Sequence, residues 1–158
     1  MSTQKFDPDR ASRFTRKSWR LHTHNYGWTG TYHVIVRVKE HAPLFETPQL
    51  RRILQEEWEA LPQRFCNLTL DKFMIMPDHL HLLLSLEGNV EKAASLADVI
   101  GAYKSLVFRR WYKYIQAEKL ECAAQFWQHR YFDRVIRNGH DFERTRQYIR
   151  DNLTKGMQ

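Results

Sequence analysis

At 158 residues with 42% hydrophobic content, the chain fits one folded domain, which excludes an intrinsically disordered protein. No apolar run approaches the ~20 residues of a membrane span, and the polar N-terminus lacks a signal-peptide core, so we expect a cytoplasmic protein with no membrane partner. The net charge of +7 favours a polyanionic partner, so we expect nucleic-acid binding and, in the bound state, association with the nucleoid.

The predicted elements describe a small α+β domain behind a basic arm. Residues 1–25 form the arm, and residues 26–158 form the single domain. In chain order, the sequence first predicts a strand at 31–38 and a helix that begins at Pro48 behind Thr47 and ends near 60, before Pro62. Two strands follow at 67–76 and 79–86, joined by a Pro77-Asp78 turn. The remaining predicted elements are a helix from about 90, a strand at 131–136 and a helix from 142 to about 152 with Asp141 as its N-cap. This β-α-β-β-α-β order predicts a ferredoxin-like antiparallel sheet with an added C-terminal helix. Helices cover one face of such a sheet, and the other face is left for a substrate or for the last helix.

Positive charge is concentrated at the two ends of the chain. Residues 1–24 carry six Lys or Arg against two Asp, and residues 101–158 carry twelve against six acidic residues. Residues 25–100 carry seven basic against ten acidic residues. The ends are therefore the predicted nucleic-acid surface.

Aromatic side chains interleave with these cations in segments 108–114 and 126–132. This combination suits phosphate neutralisation with base stacking on single strands. The alternative is that Trp111, Trp127 and Phe132 are core residues and the cations form a solvated face. The predicted DNA contacts are Lys104, Arg109, Arg110, Lys113, Arg130, Arg134 and Arg137, together with Arg10, Arg13, Arg16, Lys17 and Arg20 of the arm.

The tripeptide His79-Leu80-His81 lies in the third predicted strand. Residues two apart on a strand share a face, so both imidazoles point to one side and the neighbouring leucines to the other. Neutral imidazole is a common metal ligand, and the pair is a candidate half of a divalent-metal site. The pattern also occurs by chance, because His22-Thr23-His24 repeats it in the arm with no strand pattern around it.

Tyr148 and Asn152 are four residues apart on the last predicted helix and share one of its faces. A phenol is a poor nucleophile near neutral pH, but it can act beside a metal that stabilises the developing charge. The amide oxygen of Asn152 can complete a Mg²⁺ or Mn²⁺ site that His79 and His81 begin. The alternative is that Tyr148 is a core or boundary residue, as is usual for Tyr on an amphipathic helix.

Six short segments follow one another along roughly residues 25–157. They are Tyr32-His-Val-Ile-Val-Arg, Met76-Pro-Asp-His-Leu-His-Leu-Leu-Leu, Gly101-Ala-Tyr-Lys-Ser, Phe126-Trp-Gln, Tyr131-Phe-Asp-Arg-Val-Ile-Arg and Tyr148-Ile-Arg-Asp-Asn-Leu-Thr-Lys-Gly. Each segment is weak alone, and together they are specific. In this order they resemble the single-tyrosine HUH transposases, in particular the REP-associated tyrosine transposase branch.

The resemblance implies that His79 and His81 are metal ligands, that Tyr148 is the nucleophile and that Asn152 supplies the third ligand. It implies an enzyme that nicks single-stranded DNA beside imperfect palindromic hairpins and transfers strands through a 5′-phosphotyrosine during transposition. A monomer is favoured over a homodimer. Two positions depart from the family pattern: Asp78 replaces an Asn, and Leu153 replaces a Pro.

Two other functions stay open at this point. The first is a non-catalytic module of ferredoxin-like fold that binds hairpin nucleic acid without cutting it, although the chain has no RNP-like aromatic run. The second is a replication initiator or relaxase, which shares the same chemistry but is usually larger or orders its motifs differently. Formation of a covalent protein–DNA adduct separates the enzyme from the binding module.

Overall fold

A computed structural model describes residues 29–156 of the chain. Its elements are β1 (Gly30–Arg37), α1 (Pro48–Arg64), β2 (Leu68–Ile75), β3 (His79–Leu86), α2 (Leu96–Ala117), β4 (Phe132–Val135) and α3 (Gly139–Gly156), with short 3-10 turns at Lys39–His41 and Leu44–Glu46. The predicted β-α-β-β-α-β-α order is confirmed. The predicted basic arm, with Arg10, Arg13, Arg16, Lys17, Arg20 and both histidines of His22-Thr23-His24, lies outside the described residues.

The four strands form one antiparallel sheet in the order β2-β3-β1-β4. This is the ferredoxin-like arrangement that the sequence predicts. β1 and β3 pair along their whole length, with Ile35 opposite His81 and Arg37 opposite His79. Because paired residues point to the same side, these four side chains share one face of the sheet.

The helices α1 and α2 pack on the opposite face and bury the main hydrophobic core there. Leu80, Leu82 and Leu84 of β3 are fully buried in this core, as their alternation with the histidines predicts. Trp111 and Trp127 are also buried in it, at 1% and 4% exposure. The core alternative is therefore right for these two aromatic residues, and they form no exposed stacking surface for bases.

The last helix covers part of the histidine-bearing face. Ile149 of α3 is buried against Met74 of β2, Leu83 of β3 and Ile136, in a second and smaller hydrophobic cluster. Burial of such an apolar stripe is what stabilises an amphipathic helix against a sheet. The helix is thus held beside the end of β3 where the two histidines lie.

Three predicted helix boundaries are wrong. α1 continues past Pro62 to Arg64, because a proline in the last turn removes a single backbone hydrogen bond while Leu61 is buried. α2 begins at Leu96 rather than near residue 90, behind a capping box of Ser95 and Asp98. α3 begins at Gly139.

The cap of α3 is Asn138, whose Oδ1 accepts from the Asp141 N–H at 2.8 Å. Asp141 is not the cap that the sequence predicts, because its carboxylate accepts hydrogen bonds from Arg134 and Arg137 instead. Between residues 29 and 156, none of the helices combines the length and the apolar character that a membrane span requires.

Candidate functional site

The two histidines of β3 converge through their Nε2 atoms. These nitrogens lie 3.2 Å apart, and His81 is 2% exposed. Two neighbouring ligands of an octahedral ion with bonds of about 2.1 Å are separated by about 3 Å. The imidazole pair therefore has the spacing of two neighbouring ligands of a divalent cation.

Each of these imidazoles contacts a second polar side chain through its other ring nitrogen. His79 Nδ1 lies 2.7 Å from Asp78 Oδ1, and His81 Nδ1 lies 3.0 Å from His33 Nε2. A carboxylate can only accept, so His79 donates through Nδ1, and the neutral form of this ring has its lone pair on Nε2. Such outer partners commonly fix the orientation of metal-ligating histidines.

The electrostatics of the site favour the neutral forms of His33 and His81. Burial, with the nearby Arg134 guanidinium, lowers the pKa of His33 to about 4, and burial with the neighbouring His33 and His79 lowers the pKa of His81 to about 3. Although burial raises the pKa of the Asp78 carboxyl, its contacts with His79 and His41 together outweigh burial and leave that pKa below its usual value. The site at neutral pH thus combines a carboxylate with neutral His33 and His81.

Tyr148 of α3 lies next to this group. Its ring centroid is 5.8 Å from that of His81 and 6.3 Å from that of His33, both in edge-on contact. The side chain is 53% exposed, so the phenol borders the histidines and remains open to solvent. The predicted proximity of Tyr148 to the histidines is present within a single chain.

Asn152 follows one helical turn later and is partly buried. α3 continues through Leu153 to Gly156, so Asn152 keeps a helical backbone at the position where the family pattern has a following Pro. Its role as a metal ligand stays a prediction. Among the residues described, no three His, Cys, Asp or Glu side chains gather into a metal site.

An ion pair holds α3 to the sheet. Arg134 of β4 donates to both carboxylate oxygens of Asp141 at 3.0 and 2.9 Å, and to Thr145 Oγ1 at 2.7 Å. The Asp141 side chain is 4% exposed and also accepts from the Arg137 N–H. Asp141, Thr145 and Tyr148 are spaced along one side of the helix, so this contact sets the position of the phenol.

The Asp141→Ala variant is expected to lose about 2 to 4 kcal/mol of unfolding free energy, because it leaves Arg134 and the Arg137 N–H without their acceptor. Burial raises the pKa of Asp141, but the Arg137 N–H and the Arg134 guanidinium hold it below its usual value. Its contribution is therefore present at neutral pH and is lost as the pH falls through the folded-state pKa.

Urea denaturation at pH 7 and at about pH 2.5, which lies below the unfolded-state pKa of an Asp, measures this effect. The matched control is Asp151→Ala, since Asp151 is an exposed carboxylate on the same helix that pairs with Gln147. That variant should stay within about 0.5 kcal/mol of the wild type. Equal stability of the two variants would contradict the assigned role of Asp141.

Several predicted DNA contacts lie away from the histidines or have partners in the fold. Arg110 pairs with Glu56 and Glu57 of α1, and Lys104 Nζ donates to the Gln128 carbonyl. α2, which also carries Arg109 and Lys113, packs on the face opposite the histidines. Arg130 and Arg137 are exposed, whereas Arg134 is used in the contact with Asp141. DNA binding by any of these residues stays a prediction.

The sequence did not nominate two residues that lie on the histidine face. His33 contacts His81, and Arg37 lies opposite His79 in the pairing of β1 with β3. Strand alternation puts both on the same side of β1, which is the signal that could have identified them. The register that brings them to the histidines is a long-range property that the sequence pattern does not contain.

Comparison with known proteins gives a family and two similar folds. A family model described as "Transposase IS200 like" matches residues 27–152. An uncharacterized protein of Haemophilus influenzae is 25% identical over 157 aligned residues, covering 87% of each chain. The structure of a REP-associated tyrosine transposase bound to a REP hairpin is similar with a TM-score of 0.59 at 18% identity, over 80% of this chain and 67% of that one. A candidate transposase of Deinococcus radiodurans R1 has a TM-score of 0.51 at 23% identity, over 81% and 94% of the two chains.

Proposed function

The chain belongs to the IS200-like transposase family, and on that premise we propose that it nicks and rejoins single-stranded DNA through Tyr148. The observation that carries this proposal is the contact of the Tyr148 ring with His81, whose Nε2 lies 3.2 Å from that of His79. An exposed phenol beside two converging imidazoles has the parts that a metal-assisted nucleophile requires.

In the proposed reaction, the Tyr148 oxygen attacks the phosphorus of a phosphodiester. A new oxygen–phosphorus bond forms, and the bond from phosphorus to the 3′-oxygen breaks. The phenol releases its proton to solvent, and the departing oxygen takes up a proton to become a free 3′-OH. The DNA that follows stays attached as a 5′-phosphotyrosine. Because this link conserves the energy of the phosphodiester, rejoining needs no ATP.

The proposed cation site consists of the Nε2 atoms of His79 and His81, with the amide oxygen of Asn152 as third ligand. A bound Mg²⁺ or Mn²⁺ would polarise the phosphate and stabilise the charge that develops on it. Asp78 would orient the His79 ring through the hydrogen bond at Nδ1. Arg134 and Asp141 keep α3 in place, which holds the Tyr148 ring at its distance from the histidines.

We propose single-stranded DNA with an imperfect palindromic hairpin as the substrate. The family membership, the net charge of +7 and the REP hairpin bound by the structurally similar transposase support this choice. We also propose that a monomer suffices for cleavage, because Tyr148 contacts His81 of its own chain.

Removal of divalent cations is expected to reduce adduct formation to background. The full-length chain is incubated with hairpin oligonucleotides that have single-stranded flanks, in Mn²⁺, in Mg²⁺ or after EDTA treatment. A denaturing gel then separates covalent adducts from free DNA. A 3′-labelled strand should shift with the protein, whereas a 5′-labelled strand should appear as a shorter free fragment.

The same experiment tests the alternative function. Hairpin binding in a native gel without any adduct in the denaturing gel would identify a non-catalytic binding module. A shifted 5′ label would contradict the proposed polarity of attack. Undiminished adduct after EDTA would remove the cation from the mechanism.

A further inference from the structure

A third histidine lies behind the two candidate ligands and belongs to neither His-x-His motif. His33 of β1 is 5% exposed, and its Nε2 lies 3.0 Å from His81 Nδ1. The two rings meet edge to edge in nearly the same plane, with centroids 5.3 Å apart and planes 18° apart, as an in-plane hydrogen bond between them requires. Since His33 pairs with Leu83 across the strands, its ring reaches His81 along the diagonal of the sheet face.

Each of the two nitrogen–nitrogen contacts, from His33 to His81 and from His81 to His79, has room for one hydrogen. If His33 donates to His81 Nδ1, the remaining hydrogen of a neutral His81 sits on Nε2, which faces His79. His81 then has no lone pair for a cation. If His81 donates from Nδ1 to His33, both Nε2 lone pairs of the His79–His81 pair are available.

The groups around His33 leave its Nε2 able to accept the Nδ1 hydrogen of His81. Arg134, which lies opposite His33 on β4, has donors only, and it directs them to Asp141 and Thr145. The Tyr148 ring meets His33 edge-on, at 6.3 Å between centroids. Asp141, behind Arg134, is engaged by that guanidinium.

We propose that His33 is a positioning residue that selects the metal-binding tautomer of His81 by accepting its Nδ1 hydrogen. The inference deepens the proposed function, because it rests on the same cation site.

Imidazole ¹⁵N NMR of the full-length chain tests the tautomer directly. Zn²⁺ serves as a diamagnetic probe with affinity for imidazole. With Zn²⁺ bound, the His81 signals should report a hydrogen on Nδ1 and a metal-bound Nε2, and His33 should report a bare Nε2. A His81 that carries its hydrogen on Nε2 in the Zn²⁺-loaded protein would overturn the proposal, and so would the absence of Zn²⁺ binding.

Calorimetric titration with Mn²⁺ in the absence of DNA measures how much His33 contributes to the affinity for the cation. His33→Phe keeps a flat ring but offers no acceptor, and we expect its Mn²⁺ affinity to fall about 10- to 100-fold. His33→Gln brings a terminal amide oxygen to a similar place and should recover most of the affinity. His140→Phe, which alters an exposed histidine near the start of α3, is the control and should bind as the wild type does.

Wild-type Mn²⁺ affinity in folded His33→Phe would overturn the proposal, as would a His33→Gln variant that is as weak as the Phe variant. Circular dichroism establishes that the variants fold. These readouts are independent of cleavage. A chain that forms no DNA adduct but shows the expected Mn²⁺ and NMR results would contradict the proposed function and leave the role of His33 standing.

Discussion

The Tyr148→Phe variant is expected to form no covalent DNA adduct while it keeps its hairpin affinity within a factor of about two. The substitution removes a single oxygen atom, which is the proposed nucleophile, and retains the ring beside His81 and His33. Because the side chain is 53% exposed, the free energy of unfolding should change by less than about 0.5 kcal/mol. The denaturing gel with 3′-labelled hairpin DNA measures the adduct, and a native gel measures binding.

Tyr112→Phe is the matched control for this variant. Tyr112 is a similarly exposed phenol, at 44%, and it lies on α2 in the layer opposite the histidines. This variant should form adduct at the wild-type rate. Adduct formation by Tyr148→Phe, or its loss in Tyr112→Phe, would remove Tyr148 from the role of nucleophile.

The His81→Ala variant is expected to lose Mn²⁺-dependent cleavage. Loss of one of two nitrogen ligands should weaken Mn²⁺ binding by more than the ~10- to 100-fold that loss of an outer hydrogen-bond partner costs. The change also leaves His33 Nε2 without the His81 ring, so about 1 to 3 kcal/mol of stability should be lost. Calorimetry with Mn²⁺ and the adduct gel measure the two effects, and the assays are run well below the denaturation midpoint.

His129→Ala controls for the loss of an arbitrary imidazole, since His129 is exposed in the loop before β4. It should bind Mn²⁺ and form adduct as the wild type does. His79→Ala should resemble His81→Ala in cleavage and have a smaller effect on stability, because its ring is less buried. Wild-type Mn²⁺ affinity in both β3 variants would contradict the proposed cation site.

The elements and their order were predictable from the sequence because their signals are local. Apolar periodicity separates the strand at His79–Leu86 from the long helix that follows, and the predicted limits of this strand agree with the structure. The predicted helix boundaries were wrong where another local signal or a tertiary contact decides the true boundary. The capping box at Ser95 and Asp98 marks the true start of α2, and the burial of Leu61 carries α1 beyond Pro62.

Charge alone did not separate surface cations from those used inside the fold. Arg134 and Arg110 look like phosphate contacts in the sequence, yet both have carboxylate partners in the structure. Likewise, Trp111 and Trp127 resemble stacking residues among cations, but they are buried in the core. A side chain's neighbours come from distant segments, and composition does not contain them.

By itself, the sequence determined the strand that carries His79 and His81, the helix that carries Tyr148 and the topology that joins them. Only the tertiary structure decided that α3 covers the histidine face, where Arg134 pairs with Asp141 and Ile149 is buried. It also decided the β1–β3 register that places His33 against His81. The physical reason is that periodicity and capping act within a few residues, whereas register and helix docking depend on the summed packing and ion pairing of segments far apart in the chain.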